Sequence, residues 1–163
     1  MLSFLSSFFS VDYSLSMVFV IGLVGGICSG KSTICKFLQQ QEVVQPLYII
    51  NADQLGHQAY NIGTTAYHQI ITTFGEDIIN TETKEIDRPK LGGIVFKDKN
   101  EMQKLTDIVW PEIRRFIEVQ LRQFEEQERE QNTSITIVLE AAVLVEAKWF
   151  DLCHRIWLVV ARE

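Results

Sequence analysis

Apolar and polar positions along this chain switch repeatedly between two periods. Val18 to Leu23 is an unbroken apolar run, the pattern of a strand buried on both faces of a parallel sheet. A glycine-rich turn follows, then a helix from about Lys31 to Gln40 and a second short strand at Leu47 to Ile50. Ala66, Tyr67, Ile70, Ile71 and Phe74 share one helical face, which Phe74-Gly75 brings to an end. Asp87 ahead of Arg88-Pro89 predicts an N-cap with proline in the first turn of the next helix. Met102, Leu105 and Val109 predict another helix, ending near Trp110-Pro111. Ile113, Phe116, Ile117, Leu121 and Phe124 then line a long helix, with Glu118, Arg122, Glu125 and Arg129 on its solvated face. Ile135 to Leu139 and Ile156 to Val160 predict two further buried strands. Strands separated by helices imply an α/β domain with a parallel sheet and right-handed crossovers. Such a sheet ordinarily covers its last strand with a helix, and here Glu163 follows that strand directly, so the sequence reads as shortened at its C-terminus.

Composition narrows the class. Of 163 residues, 47% are hydrophobic and 22% charged, ordinary for one globular domain and wrong for a disordered chain. Fifteen Lys and Arg against 21 Asp and Glu leave a formal net charge of −6, which argues against a nucleic-acid binder that works by neutralising phosphates. Cys28, Cys35 and Cys153 form no C-x-x-C pair and no ligand cluster, so the thiols fit a reducing compartment and a cytoplasmic protein, with mitochondrial association left open. Met1 to Met17 carries Asp12 as its only charge, and the first basic residue of the chain is Lys31. It has neither the cationic start of a secretory signal nor the arginines of a mitochondrial leader, and its serines break a stretch too short to span a bilayer. It reads as a poorly ordered extension, with Met17 as an alternative start, ahead of one domain from 18 to 163.

The chemistry begins at Gly25-Gly26-Ile27-Cys28-Ser29-Gly30-Lys31-Ser32-Thr33, which fits G-x-x-x-x-G-K-[ST] without a mismatch. Glycines let the backbone wrap until successive N–H groups converge on phosphate oxygens. Lys31 brings a full positive charge to the β and γ phosphates, Ser32 a hydroxyl to Mg²⁺, and the following helix its positive dipole end. Chance would produce this pattern in a chain of this length on the order of once in 200. The buried strand before it and the helix after it therefore make nucleotide triphosphate binding the reading. No N-K-x-D guanine motif is present, and a motor or transporter ATPase would be larger; a small chain of this kind is most often a small-molecule kinase, by analogy of fold.

Ligand crevices in open parallel sheets lie at the C-terminal ends of the strands. Asp53, in Asn51-Ala52-Asp53 after the second strand, is placed to accept a proton from an acceptor hydroxyl, or else to cap the helix that follows. Glu140, ending Ile137-Val138-Leu139-Glu140, is placed to hold the Mg²⁺ shell, or else is a solvated strand end.

The segments Asn51-Ala52-Asp53-Gln54-Leu55-Gly56-His57-Gln58-Ala59-Tyr60, Phe74-Gly75-Glu76-Asp77-Ile78, Ile86-Asp87-Arg88-Pro89-Lys90-Leu91-Gly92, Ile108-Val109-Trp110-Pro111 and Glu140-Ala141-Ala142-Val143-Leu144-Val145-Glu146-Ala147, with the phosphate loop, carry a family resemblance. Collinearly from about Val18 to Val160, the chain resembles dephospho-CoA kinase, especially the kinase half of bifunctional coenzyme A synthases. The resemblance implies a P-loop NTP hydrolase-type parallel sheet flanked by helices, with an inserted helical substrate lobe from about 59 to 131. It implies transfer of the ATP γ-phosphoryl group to the ribose 3′-hydroxyl of dephospho-CoA, with Asp53 as base and His57 as its partner one helical turn on. Arg88 would meet substrate phosphates, and Mg²⁺ would bind at Ser32 and Glu140. His68 and His154 keep ordinary surface readings.

Two departures stand out. The family usually has Asp where this chain has Asn51 and Glu140, so one charge is lost beside Asp53 and another sits on a longer arm. The family also continues into an arginine-bearing lid and a final strand, for which this chain has no residues, and such arginines can supply orders of magnitude in rate. Two further readings therefore stay open: a truncated, weakly active or inactive ATP-binding module, and another small-molecule P-loop kinase such as a nucleoside kinase. Cys28 lies among loop amides that favour anions, so its modification is expected to block ATP binding. Oligomeric state is not read from the sequence.

Overall fold

In the computed structural model, which describes residues 18–26, 28–41 and 45–160, four parallel strands form one sheet in the order β2-β3-β1-β4. They are β1 (Phe19–Val24), β2 (Leu47–Asn51), β3 (Thr136–Glu140) and β4 (Arg155–Leu158). The helices are α1 (Lys31–Gln39), α2 (Ala52–Gln58), α3 (Thr65–Phe74), α4 (Arg88–Val95) and α5 (Lys99–Gln131). The predicted α/β class and the parallel pairing are observed. Met1 to Met17 and Ile27 lie outside the described residues.

Register sets what each strand presents. β1 pairs with β3 from Phe19↔Thr136 to Leu23↔Glu140, and β2 pairs with β3 from Leu47↔Thr136 to Asn51↔Glu140. Side chains alternate across a strand, so the sheet buries two faces. Leu23 and Val138 pack on Cys35, Ile34 and Leu38 of α1. Val20, Val24, Ile137 and Leu139 face the larger core, built with Leu55 of α2 and Ile113 and Ile117 of α5.

All four helices after α1 begin where the sequence supplies a polar cap for the orphan N–H groups. Thr64 accepts from Tyr67 N–H, Asp87 from Lys90 N–H at 3.0 Å, and Asp98 from Asn100 N–H, heading α3, α4 and α5. Gly75 closes α3 as predicted, its N–H reaching Ile71 C=O.

Two expectations fail for identifiable reasons. No helix ends at Trp110-Pro111: α5 runs through Pro111 for 33 residues. Proline removes the hydrogen bond to the Asp107 carbonyl, but Pro111 and Asp107 are both exposed, a setting in which solvent can satisfy the freed carbonyl. The apolar stripe Met102, Leu105, Val109, Ile113, Ile117 stays in helical phase across the proline, and α5 packs along α2, α3 and α4. The strand predicted as buried at 156–160 is instead β4, an edge strand whose four residues are all exposed, Leu158 to 70%. An apolar run alone does not distinguish a central strand from an edge. No helix among the described residues is long and apolar enough to cross a membrane.

Candidate active site

The C-terminal ends of all four strands converge. β1 runs into the phosphate loop, which starts at Gly25 and turns at Gly30 directly into α1. Gly30 stands at the α1 N-cap with φ +97°, and Cys28 beside it is also left-handed at φ +62°. These reversals let loop amides face one side, as an anion cradle requires. The residues Cys28 to Thr33 line a cleft of about 260 Å³ at that point. The end of β4 closes against the loop: Val159 N–H donates to Val24 C=O at 2.8 Å, and a Cβ on Gly25 would stand 2.6 Å from Val159 C=O and from Ser29 Oγ. Only glycine fits there.

Lys31 is 8% exposed, and its ammonium donates to the carbonyls of Gly25 at 2.8 Å and Gly26 at 3.0 Å. Among the described residues it makes no ion pair. A buried cation held only by neutral carbonyls is poised to exchange them for an anion. The Ser29 hydroxyl is buried with no partner among the described residues. An orphaned donor and a carbonyl-held ammonium in a left-handed loop fit a polyphosphate.

Glu140 is not a solvated strand end. It is 3% exposed, and the β2–β3 register sets it opposite Asn51. Its Oε1 accepts from Ser32 Oγ at 2.6 Å and its Oε2 from Asn51 Nδ2 at 2.8 Å. Beneath it the Cys35 thiol is pushed up to about 12, by burial first and then by the Glu140 charge and hydrogen bond. The donor set here is one carboxylate and one hydroxyl, hard oxygens of the kind Mg²⁺ takes when phosphates and water complete its shell. No group of three or more His, Cys, Asp or Glu side chains among the described residues could hold a metal by itself. That fits a cation shared with a bound phosphate.

Asn51 also settles the capping question. Its Oδ1 accepts from Gln54 N–H at 2.9 Å, so Asn51, not Asp53, caps α2. Asp53 is thereby free in the first turn of α2, exposed, with Oδ1 at 3.5 Å from Ala142 N–H just past β3. His57 lies one turn further along α2. Arg88, the first residue of α4, reaches across to it, with Nη1 2.6 Å from His57 Nδ1 and Nη2 donating to His57 C=O at 2.8 Å. The guanidinium lies over the Tyr60 ring, 5.4 Å from its centroid. The loop, Glu140 and the Asp53 helix are thus brought to one end of the sheet, with the His57–Arg88 pair further out. The Asn51 amide, the Ala142 N–H and the Val159 carbonyl were not identified from sequence, because strand register alone makes them neighbours.

Comparison with known proteins points the same way. The family model for dephospho-CoA kinase matches residues 19–163. The dephospho-CoA kinase of Lactobacillus johnsonii is 34% identical over 138 residues, covering 85% of this chain and 65% of that protein. That of Geobacter sulfurreducens is 37% identical over 145 residues, covering 88% of this chain and 68% of that protein. The chain thus spans about two thirds of the length of these relatives. Among solved structures, the crystal structure of TT1252 from Thermus thermophilus superposes with a TM-score of 0.68 at 26% identity, covering 90% of this chain and 67% of that one. A dephospho-CoA kinase from Campylobacter jejuni, at 19% identity and a TM-score of 0.54 over 85% of this chain and 87% of that one, shares the fold. With 145 contiguous residues matched, from the first residue of β1 to Glu163, the chain belongs to the dephospho-CoA kinase family.

Proposed function

We propose that this protein transfers the γ-phosphoryl group of ATP to the ribose 3′-hydroxyl of dephospho-CoA, giving CoA and ADP. The observation that carries the reading is Asp53: an exposed carboxylate, released from capping duty by Asn51, at the strand end beside the phosphate loop. In this mechanism the loop from Gly25 to Thr33 wraps the phosphates, and Lys31 leaves the Gly25 and Gly26 carbonyls for the β and γ oxygens. Ser32 and Glu140 would hold Mg²⁺, which supplies positive charge to the transferring phosphoryl group. The 3′-oxygen attacks phosphorus, Asp53 takes its proton, and the bond to ADP breaks. The helices between 59 and 131 form the substrate lobe, from which Arg88 holds His57 of α2 toward the acceptor. The free thiols of Cys28, Cys35 and Cys153 fit a reducing, cytoplasmic setting.

The test is mass spectrometry of dephospho-CoA after incubation with the protein, ATP and Mg²⁺. One added phosphate is expected, lost in Lys31→Ala and reduced at least ~100-fold in Asp53→Asn, the scale of a positioned base. No added phosphate on dephospho-CoA, with transfer to another alcohol in an acceptor panel, would overturn the substrate assignment. Near-normal turnover in Asp53→Asn would overturn the base.

A further inference from the structure

Arg88 grips the end of α2 at two atoms of one residue. Its Nη2 bonds the His57 carbonyl at 2.8 Å, one of the last-turn carbonyls that α2 itself cannot satisfy. Its Nη1 stands 2.6 Å from His57 Nδ1. A guanidinium has five donors, no acceptor, and keeps its charge at any working pH. The second contact is a hydrogen bond only if Nδ1 offers a lone pair, so the single ring proton sits on Nε2. The grip is itself braced. Tyr60 lies under the guanidinium, and the backbone of Arg88 is fixed at the start of α4 by the Asp87 cap and by buried Leu91 and Val95.

We infer that Arg88 is a positioning residue that acts through His57, holding the ring as the Nε2–H tautomer. This rests on the reading of Asp53 as the base, and it divides the labour along α2. With Nδ1 engaged by Arg88 and Nε2 already protonated, His57 has no lone pair to take a proton. It is a donor, presented to the acceptor substrate one helical turn from Asp53. The proton of the attacking hydroxyl then has one destination in this row, the Asp53 carboxylate. The family resemblance implies that Arg88 meets substrate phosphates; two of its five N–H groups are already committed to His57.

The chain has three histidines, so the tautomer can be read directly. Long-range proton–nitrogen correlation spectra of the full chain with ¹⁵N-labelled histidine are expected to show His57 with an unprotonated Nδ1 and a protonated Nε2, assigned by the signal lost in His57→Gln. His154 supplies an internal reference, because its Nδ1 accepts from Val20 N–H at 3.0 Å and requires the same tautomer. Arg88→Met should convert the His57 pattern to an averaged one. A proton on Nδ1 of His57, or a pattern unchanged by Arg88→Met, would overturn the inference. These spectra need no turnover, so they decide the tautomer whether or not dephospho-CoA is the acceptor. In kinetics, Arg88→Lys keeps the charge and loses the planar two-point grip, and should lower kcat/KM roughly 10-fold, the scale of one charge-assisted hydrogen bond. In a His57→Gln background the same change should cost nothing further. Full additivity of the two losses would put Arg88 on the substrate and refute action through His57.

Discussion

Asn51 joins three parts of the site at once, and its removal can be costed piece by piece. Its Oδ1 caps α2 and its Nδ2 donates to Glu140, whose other oxygen holds Ser32 of the phosphate loop. Loss of an asparagine cap costs about 1 kcal/mol. Loss of a hydrogen bond to a charged group costs about 1.5–3 kcal/mol, and at 3% exposure water cannot replace the donor to Glu140. Asn51→Ala removes both and should lower the free energy of unfolding in urea by about 2.5–4 kcal/mol. Asn51→Ser keeps a capping oxygen and should lose only the second part. Asn51→Asp also keeps the cap but sets a second carboxylate against a buried one. One of the pair then holds its proton to a pH above the ordinary carboxylate range. The folded state binds that proton more tightly than the unfolded chain, so the deficit relative to wild type is small at low pH and grows as pH rises through the raised value. Urea melts of the three variants at pH 5 and pH 8, without nucleotide, check this. An Asn51→Ser protein as stable as wild type, or a pH-independent deficit in Asn51→Asp, would refute the account of Glu140.

Three further outcomes follow from the same geometry. Gly25→Ala drives a Cβ to 2.6 Å from the Val159 carbonyl and should destabilise the fold by about 1–3 kcal/mol while weakening ATP binding; an unchanged melt with intact ATP affinity would show that β4 gives way. Burial holds the Cys35 thiol up at about 12 and the Cys153 thiol up at about 11, whereas Cys28 is exposed on the phosphate loop; iodoacetamide at pH 7.5 should therefore modify one site, Cys28, with ATP protecting it, and equal labelling of all three would contradict the packing. Arg114 bonds both oxygens of Asp151, at 2.9 and 2.7 Å, and holds that carboxyl below its ordinary range. A depressed carboxyl stabilises above its unfolded value and loses that contribution as pH falls through the folded one. Arg114→Met should thus cost less than about 1 kcal/mol at pH 7, since the pair is half in solvent, and nothing near pH 2; an equal loss at both would assign the effect to packing.

What was legible in the sequence was whatever is encoded locally. Strand periodicity, the Asp87 cap, the Gly75 stop and the phosphate loop each depend on a few consecutive residues, so the sequence alone carries them. Pro111 misled because its effect depends on which way its carbonyl partner faces, and solvent exposure is a tertiary property. β4 misled for the same reason, since Ile156, Trp157 and Leu158 look like core residues until their neighbours are counted. At the site, the motif points to Lys31 and Ser32, whereas the place of Asp53 after a strand leaves base and helix cap both open until Asn51 is seen to make the cap. The Asn51–Glu140 pair was not legible, because 89 residues separate its members and only parallel register joins them.

The position of β1 has a consequence for how the chain acquires its fold. β1 leads into the phosphate loop, yet its sheet neighbours are β3 and β4, the last two strands among the described residues, paired as Phe19↔Thr136 and Ile21↔Arg155. Loop closure over such separations is slow, whereas α3, α4 and α5 are helices whose internal bonds span four residues. On the ribosome, therefore, the helices can form while the apolar strand Phe-Val-Ile-Gly-Leu-Val waits without an edge to join. β1 is synthesised before both of its sheet partners, and until β3 and β4 arrive it is a sticky surface for chaperones or for other unfinished copies.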